Sequence, residues 1–466
     1  METGPMKSTL RRPVSVLALV GAFSTPLLPS VATALPEGAE TARGADASTK
    51  PAATTSSASQ AVETGTSSSR GLERWFTDPP QLKVGPVDIH PRFTAGMTYD
   101  DNIYISRNRP VSDEIWSISP GVQLIAGDRQ AMAEYRLDQR DLLGLSPLSF
   151  ITVPSENWPG SILTLDYAPR PNFYTHESQN NGVDQFLSLN TLFPLSRLIL
   201  GVRQDYTYQN TQVIEAGQLT PQTVFNTAIT SGYQISSRSF VQVNLRRDSY
   251  DYQASNLTGY AQYQNDNWFG YQFSERLNLG GGATFGYVNV QDDTSQTYQQ
   301  ILARALYQLA EKVALDASAG VEFRQYSTDS PSTVEPVFSL TGSYNWRPTT
   351  SLYLNAHRWD QASVSSGYNY LQTGFSGGIR QQFLERYSMN LSGGWDTYAY
   401  SSYQGAPQSV ASRSDNNYWY VRLGFDFRFN PFLKASAFYQ YRQQNYQTGN
   451  GGFTDNQIGV SATYGF

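Results

Sequence analysis

Apolar and polar residues alternate strictly along the last ten positions of the chain, residues 457–466. The apolar positions are Ile458, Val460, Ala462, Tyr464 and Phe466, and small or polar residues lie between them. A period of two residues predicts a β-strand with one apolar and one polar face. The same alternation recurs along the chain upstream, so the pattern predicts an all-β protein.

The recurring alternation divides residues 92–466 into about eighteen predicted strands. An even number of antiparallel strands with alternating faces is typical of a transmembrane β-barrel of the bacterial outer membrane. The fold class that we expect is therefore a transmembrane antiparallel β-barrel. The predicted strands are 92–106, 113–126, 161–175, 183–193, 197–210, 221–235, 238–252, 256–272, 276–291, 297–309, 312–327, 334–346, 350–364, 367–382, 386–402, 415–429, 432–447 and 454–466.

The connections between these strands alternate between short turns and longer polar loops. Residues 273–276 and 383–386 are examples of short turns, whereas 211–221 and 403–416 are long. Outer-membrane barrels have short periplasmic turns and longer extracellular loops, which predicts the orientation of each strand. Residues 129–160 interrupt this order, and we expect a periplasmic excursion there. The alternative is an extra strand over 131–137 with a partner inside 147–162.

The two faces of each strand predict which side chains line the lumen. In 313–324, the apolar set ends in Val321 and Phe323, and Asp316, Glu322 and Arg324 lie on the opposite face. An arginine on the lipid face near the middle of the bilayer costs roughly 2–4 kcal/mol, so the charged face must be the lumen. Two interpretations remain for these charges: a path that tunes selectivity, and ion-pair ladders that only solvate the wall. The lumen candidates are Arg246, Arg304, Asp316, Glu322, Arg324, Arg380, Asp396, Arg422, Asp426, Arg428, Lys434 and Arg442.

The N-terminal residues have the organisation of a secretion signal. Lys7, Arg11 and Arg12 precede a short apolar run over 13–23, and Ala32-Thr33-Ala34 is a cleavage sequence of the A-x-A type. We therefore expect export through the Sec pathway to the outer membrane of a Gram-negative bacterium. The predicted organisation is a signal peptide over 1–34, a disordered periplasmic linker and lead-in over 35–91, and the barrel over 92–466.

Composition removes several classes of function. Aromatic residues make up 13% of the chain and mean hydropathy is −0.44, which suits a barrel with aromatic girdles. The formal net charge is −6, and without an excess of basic residues we expect no nucleic-acid partner. The absence of cysteine excludes a thiol nucleophile, disulfides and a lipoprotein anchor. We expect no cofactor.

Two short motifs have a chemical and a structural interpretation. Gly374-Phe375-Ser376-Gly377-Gly378 has the spacing of a nucleophile elbow, but it lies inside a predicted strand, whereas an elbow needs a strand–turn–helix. Asp100, Asp101 and Asn102 offer oxygen ligands for calcium, but three are too few without other loops, so we expect local hydrogen bonding and no metal. We therefore expect no catalytic residues and a protein that is not an enzyme.

The first predicted strand also carries a resemblance. The stretch from Gly96 to Tyr104, with Tyr99-Asp100-Asp101-Asn102, followed by Ser119-Pro-Gly-Val122, resembles the β-barrel porin 2 group of outer-membrane proteins over about 90–466. The resemblance implies an outer-membrane barrel of the kind often associated with exopolysaccharide export.

The function that we expect is passage of a polar solute or an exopolysaccharide through an outer-membrane channel. The alternatives are a general diffusion porin and, less favoured, a barrel enzyme.

The aromatic residues Tyr464 and Phe466 at the end of the last strand resemble the assembly signal read by the barrel-assembly machinery. We therefore expect that machinery and membrane lipid as partners. Tyrosines at the strand tops are expected to form an interfacial girdle, with a glycan path as the alternative; they are Tyr206, Tyr208, Tyr250, Tyr252, Tyr368, Tyr370, Tyr398 and Tyr400.

Overall fold

The computed structural model describes residues 82–127, 160–215, 217–310, 312–327, 330–347, 349–384, 386–403, 415–446 and 452–465. The strands are β1 Leu82–Val84, β2 Val87–Asp100, β3 Asp113–Gly127, β4 Ile162–Tyr174, β5 Gly182–Leu195, β6 Leu198–Val213, β7 Gln218–Gln234, β8 Ser239–Tyr252, β9 Tyr260–Ser274, β10 Leu277–Val290, β11 Gln296–Ala310, β12 Val313–Tyr326, β13 Thr333–Arg347, β14 Thr350–Ala362, β15 Tyr368–Phe383, β16 Tyr387–Ser402, β17 Asn416–Arg428, β18 Leu433–Tyr446 and β19 Gly452–Gly465. A 3₁₀ turn covers Ser178–Asn180. Within these described residues, no helix is long and apolar enough to cross a membrane.

Strands β2 to β19 form one closed antiparallel barrel of eighteen strands. Each pairs with its neighbours in chain order, and the last strand pairs with the first, from Gln457 opposite Asp100 to Gly465 opposite Arg92. Closure satisfies the backbone N–H and C=O groups that an open sheet would leave exposed to lipid. The short strand β1 adds to the free periplasmic end of β2. The predicted fold class and strand number are confirmed.

The outer wall is apolar, as the alternation predicts. On β19, Ile458, Val460 and Tyr464 are exposed, whereas Gly459 and Gly465 are buried on the lumen side. Exposed apolar and aromatic side chains continue on every strand from β2 to β19. This belt is the surface that contacts hydrocarbon in a transmembrane barrel.

Aromatic rings fill much of the small inner face. Phe438 on β18 lies directly over Gly459 on β19, and Tyr298 on β11 lies over Gly286 on β10. A glycine removes the Cβ that would collide with the ring, so each ring lies flat on the neighbouring strand. The glycines of the lumen face therefore accommodate large side chains and do not widen the lumen.

The first barrel strand is the main departure from the predicted boundaries. It was expected over 92–106 but covers Val87–Asp100, because the chain turns inward after Asp100. The backbone N–H of Asn102 donates to Asp100 Oδ1 at 2.8 Å, and Ile103 and Ile105 are buried. The apolar residues that continue the alternation thus pack into the lumen and not onto lipid.

The segment 129–160 lies mostly outside the described residues, as do the predicted signal over 1–34 and residues 35–81 of the predicted linker and lead-in over 35–91. Residues 82–91 of that lead-in contain β1 and the beginning of β2. Its flanking strands are nevertheless placed: β3 pairs directly with β4, from Ile115 opposite Tyr174 to Gly127 opposite Ile162. The connection therefore leaves and re-enters the barrel at the end that carries the short turns. The β3–β4 ladder is interrupted between Ser117 and Val122, where Pro120, Pro169 and Pro171 lack the N–H that pairing needs.

Candidate functional site: the lumen and its crossing hairpin

All twelve predicted lumen residues lie on the inner face. Ion pairs below the mouth form between neighbouring strands, as in Arg304 Nη2 to Asp316 Oδ2 at 2.6 Å and, nearer the periplasmic end, Lys434 Nζ to Asp426 Oδ1 at 3.2 Å. Arg422 donates to the Gln440 amide oxygen at 2.7 Å, and Arg246 pairs with Asp248. Arg380 and Arg428 also face the lumen, opposite Asn390 and Lys434.

A buried ionic cluster surrounds Arg324 near the extracellular end. Its guanidinium contacts Glu322 Oε1 at 2.7 Å and Asp360 Oδ2 at 3.3 Å, and it donates to Gln296 Oε1 at 2.7 Å. The side chain of Arg324 is 2% exposed, and it also lies over the ring of Tyr298. Two carboxylates, an amide and a ring thus satisfy one cation, which buries that charge without leaving it unpaired.

A second buried pair joins β18 to β19. Arg442 Nε donates to Asp455 Oδ2 at 2.6 Å, and the two side chains are 1% and 0% exposed. Arg442 also donates to the side-chain oxygen of Gln212, which belongs to a hairpin on another part of the ring.

That hairpin, defined here as residues 209–221 and called the crossing hairpin, leaves the wall and enters the lumen. Pairing of β6 with β7 continues to Val213 opposite Gln218. Pairing of β6 with β5 stops at Tyr208, and pairing of β7 with β8 stops at Gln222. Without neighbours on either side, this end of the β6–β7 ladder is free to bend across the barrel.

The crossing hairpin is fastened at two places on the rim of the barrel: at the end of β2, about a quarter of the way round the ring, and at the β14–β15 loop on the facing wall. Gln212 Nε2 donates to Asp100 Oδ2 at 3.0 Å and to the backbone oxygen of Ile103 at 3.0 Å. Glu215 accepts from the backbone N–H of Val364 at 3.0 Å and from the Ser363 hydroxyl, in the β14–β15 loop. Since β14 and β15 lie nearly opposite β6 and β7 in the ring, the hairpin spans the mouth.

Aliphatic and tyrosine side chains fill the space beside the hairpin. Val213 packs in a buried cluster with Tyr250 and Tyr252, and Ile214 packs with Tyr370 and Tyr398, which are each 1% exposed. The expectation that these strand-top tyrosines form an interfacial girdle is wrong for the five buried ones, because they point inward. The five are Tyr250, Tyr252, Tyr368, Tyr370 and Tyr398.

Other extracellular loops are linked to one another at the same level. The Tyr403 hydroxyl donates to Asp293 Oδ2 at 2.8 Å, and the same oxygen accepts from the backbone N–H of Gly367 at 2.6 Å. Burial, and then the hydrogen bond to Asp293, raise the pKa of Tyr403, so its phenol remains a donor across the physiological range. The mouth is therefore a connected layer of loops.

Asp396 lies beside the one histidine that faces the middle of the lumen. His357 Nε2 is 3.1 Å from Asp396 Oδ1, without the alignment of a hydrogen bond, and His357 Nδ1 is 3.1 Å from Asn355 Oδ1. Both ring nitrogens thus face the side-chain oxygens of Asp396 and Asn355. Gly374–Gly378 is part of β15, without the strand–turn–helix of a nucleophile elbow.

The structure brings in residues that the sequence did not single out. Gln212, Glu215, Asp360 and Asp455 each complete a buried contact at the mouth. The sequence signal for the hairpin is the pair Val213-Ile214 inside an otherwise polar loop. A solvated extracellular loop has little reason to carry two adjacent β-branched aliphatic residues.

No known family model matches the chain, and no curated protein matches it. Solved structures that resemble the barrel include OccK2 (OpdF) of Pseudomonas aeruginosa, with 12% identity, a TM-score of 0.42 and coverage of 81% of this chain and 98% of that one. The outer membrane protein OpdK of the same organism has 14% identity, a TM-score of 0.39, and coverage of 81% and 99%. OccAB2 of Acinetobacter baumannii has 11% identity, a TM-score of 0.42, and coverage of 82% and 100%.

The location of the chain follows from its own architecture. A closed barrel of eighteen antiparallel strands, an apolar outer belt and a charged inner face are together the features of a bacterial outer-membrane protein. The chain is therefore an outer-membrane β-barrel of a Gram-negative bacterium.

Proposed function

We propose that this barrel is a gated channel for polar solutes, and that the crossing hairpin is its gate. The observation that supports this proposal is the fastening of the hairpin at two separate places on the rim, through Gln212 to Asp100 at the end of β2 and through Glu215 to the β14–β15 loop across the mouth. A barrel of this size leaves an aqueous interior, so an element that crosses the interior decides whether solute passes.

The hold on the hairpin combines polar and apolar contacts. Its side-chain hydrogen bonds are each worth about 0.5–1.5 kcal/mol, or about 1.5–3 kcal/mol where a charge takes part. Burial of Val213 and Ile214 adds about 1.5–3 kcal/mol for each side chain, so the closed state predominates and opening releases all of these contacts together. On the periplasmic side of the hairpin, β6 up to Tyr208 and β7 from Gln222 remain paired with neighbours on both sides and anchor the hairpin.

The lining at the mouth favours neutral, hydroxyl-rich solutes. Both polar atoms of the Gln222 amide, the Tyr398 hydroxyl and the Asn416 Nδ2 are buried at the closed mouth without a hydrogen-bond partner, and we expect opening of the hairpin to expose them to solute. Amide donors and acceptors suit sugar hydroxyls, and aromatic faces pack against sugar rings. Charges lower on the wall have mixed sign and are largely paired, so they favour neither anions nor cations strongly.

Export of an exopolysaccharide is the narrower form of this proposal. It is supported by the resemblance carried by Tyr99–Asn102 and by the tyrosine and amide lining. A general porin for small sugars is the alternative, and it requires only brief openings of the hairpin. The barrel-assembly machinery and a polysaccharide are the partners that the proposal includes.

Single-channel recording in planar bilayers tests the gate. The double variant Gln212→Ala/Glu215→Ala should raise the open fraction at least about tenfold, as expected if about 1.4 kcal/mol or more of hold is lost. Gln218→Ala in the same hairpin is the matched control, because its half-buried side chain makes a single 3.4 Å hydrogen bond to Asn256, away from both fastenings. An unchanged open fraction in the double variant, or no conductance in any variant, would overturn the proposal.

Solute uptake into vesicles separates the substrate classes. Vesicles that contain the double variant should swell faster in neutral oligosaccharides than in charged sugars of equal size. Equal rates for both would remove the preference for neutral solutes while leaving the gate intact.

A further inference from the structure

Three carboxylates converge at the seam where the barrel closes. Asp100 is the last residue of β2, Asp101 follows it, and Asp455 is the fourth residue of β19; one oxygen of each lies within 4.8 Å of the others. The first two are adjacent in sequence, but Asp455 is brought in only by closure of the ring. The sequence alone offered oxygen ligands from residues 100–102 and no further loop, and Asp455 is the carboxylate that the fold adds to them.

One oxygen of this cluster has no partner inside the protein. Asp455 is 0% exposed; its Oδ2 accepts from Arg442, but its Oδ1 makes no hydrogen bond. Its neighbour is the carboxylate of Asp100, which can bond to it only by sharing a proton and offers no donor when both acids are ionised. A buried carboxylate oxygen without a donor is costly, so it requires a proton or a cation.

The charges of the cluster favour a cation. Three carboxylates face one guanidinium, that of Arg442, so the local charge is about two units negative when all three acids are ionised. Asp100 and Asp101 are held in place by surrounding donors: Asn102 N and Gln457 Nε2 for Asp100, and Asn456 N for Asp101. These bonds fix the carboxylates as a preformed set rather than flexible surface acids.

The geometry points to a binding site for a hard divalent cation, calcium, formed by Asp100, Asp101 and Asp455. Calcium takes six to eight oxygen ligands in flexible geometry, which three carboxylates and water can provide. Magnesium demands stricter octahedral geometry and retains its water more firmly, so it should bind more weakly here.

A cation at this position would connect three parts of the mouth. It would join the end of the first strand to the last strand, and Asp100 also accepts from Gln212 of the crossing hairpin. The inference does not depend on the proposed function, because a sealed barrel would have the same carboxylates.

Isothermal titration of the refolded full chain with calcium chloride tests the site. We expect a dissociation constant of about 10⁻⁴ to 10⁻³ M, the range of extracellular calcium modules, and at least about tenfold weaker binding of magnesium. Asp455→Asn and, separately, Asp101→Asn should each weaken calcium binding at least about tenfold. Asp251→Asn is the matched control, since Asp251 is an exposed carboxylate at the same end of the barrel on β8.

Heat-modifiable migration in gels confirms that each variant is folded before titration. If Asp455→Asn does not fold, Asp101→Asn decides the question, because Asp101 is half-buried and an amide still accepts at that position. The site is refuted if the native chain binds no calcium at millimolar concentration. It is equally refuted if both cluster variants bind as the native chain does, or if the Asp251→Asn control loses binding to the same extent.

Discussion

The two ends of strand β18 carry the same kind of contact in different surroundings. Near the periplasmic end, Lys434 pairs with Asp426 at 3.2 Å, and the lysine side chain is 26% exposed. Near the mouth, Arg442 pairs with Asp455 at 2.5 Å, and the arginine is 1% exposed. Both cations face the lumen from the same strand. Arg442 lies under the crossing hairpin and contacts its Gln212, whereas Lys434 lies at the opposite end of the strand.

This difference changes what each ion pair contributes. A pair that water reaches is screened, and its contribution is typically about 0–1 kcal/mol. Removal of one partner from a buried pair leaves the other charge desolvated, which costs about 3–5 kcal/mol. Along β18, the lumen face is therefore tightly packed at the extracellular mouth and hydrated at the periplasmic end, although the sequence shows the same alternation throughout.

The largest expected effect concerns the chain terminus at the periplasmic end. Deletion of Phe466, or Phe466→Asp, should abolish most membrane insertion, because the terminal aromatic resembles the signal for barrel assembly. The placement of Phe466 lies outside the described residues, so this remains a prediction from sequence. Its neighbour Tyr464 is exposed on the lipid face. The yield of heat-modifiable protein in outer-membrane fractions measures the effect, and Gln212→Ala at the mouth should insert normally. Normal insertion of the Phe466 variants would contradict the prediction.

The next effect measures the contrast between the mouth and the wall directly. Arg324→Met should lower the free energy of unfolding by about 3–5 kcal/mol, because it leaves Glu322 and Asp360 buried and unpaired. Lys434→Met is the matched variant on the wall, and its cost should be at most about 1 kcal/mol. Urea titration in lipid vesicles gives both values. Equal costs would mean that the buried and hydrated ends are energetically the same.

The sequence predicted the wall well and the mouth poorly, for a physical reason. Most strand boundaries agree within a few residues, since each residue of a barrel strand must face either lipid or lumen and alternation reports that choice. The crossing hairpin has no such local rule. Its position depends on Gln212 and Glu215 meeting partners that are distant in sequence, at Asp100 and Val364.

The candidate site divides in the same way. The faces of all twelve lumen residues follow from alternation, but alternation cannot tell that Arg324 and Arg442 are buried while Lys434 is hydrated. The five inward tyrosines were also misassigned, because an aromatic residue near a strand end is compatible with a girdle or with a packed mouth. Only the position of the crossing hairpin decides between these alternatives.

The smallest expected effect concerns the middle of the lumen, between the packed mouth and the hydrated wall. Gly459→Ala places a methyl group against the ring of Phe438, which in turn lies 4.2 Å from the Arg422 guanidinium. Because the ring must shift, and Arg422 with it, the free energy of unfolding should fall by about 1–3 kcal/mol, as for other overpacked sites. Gly281→Ala is the control, since no atom lies within 4 Å of the added methyl group. If the two variants are equally stable in urea titration, Phe438 moves freely, and close packing is confined to the mouth. A measurable cost at Gly459 alone would extend close packing from the mouth to the middle of the β18–β19 seam.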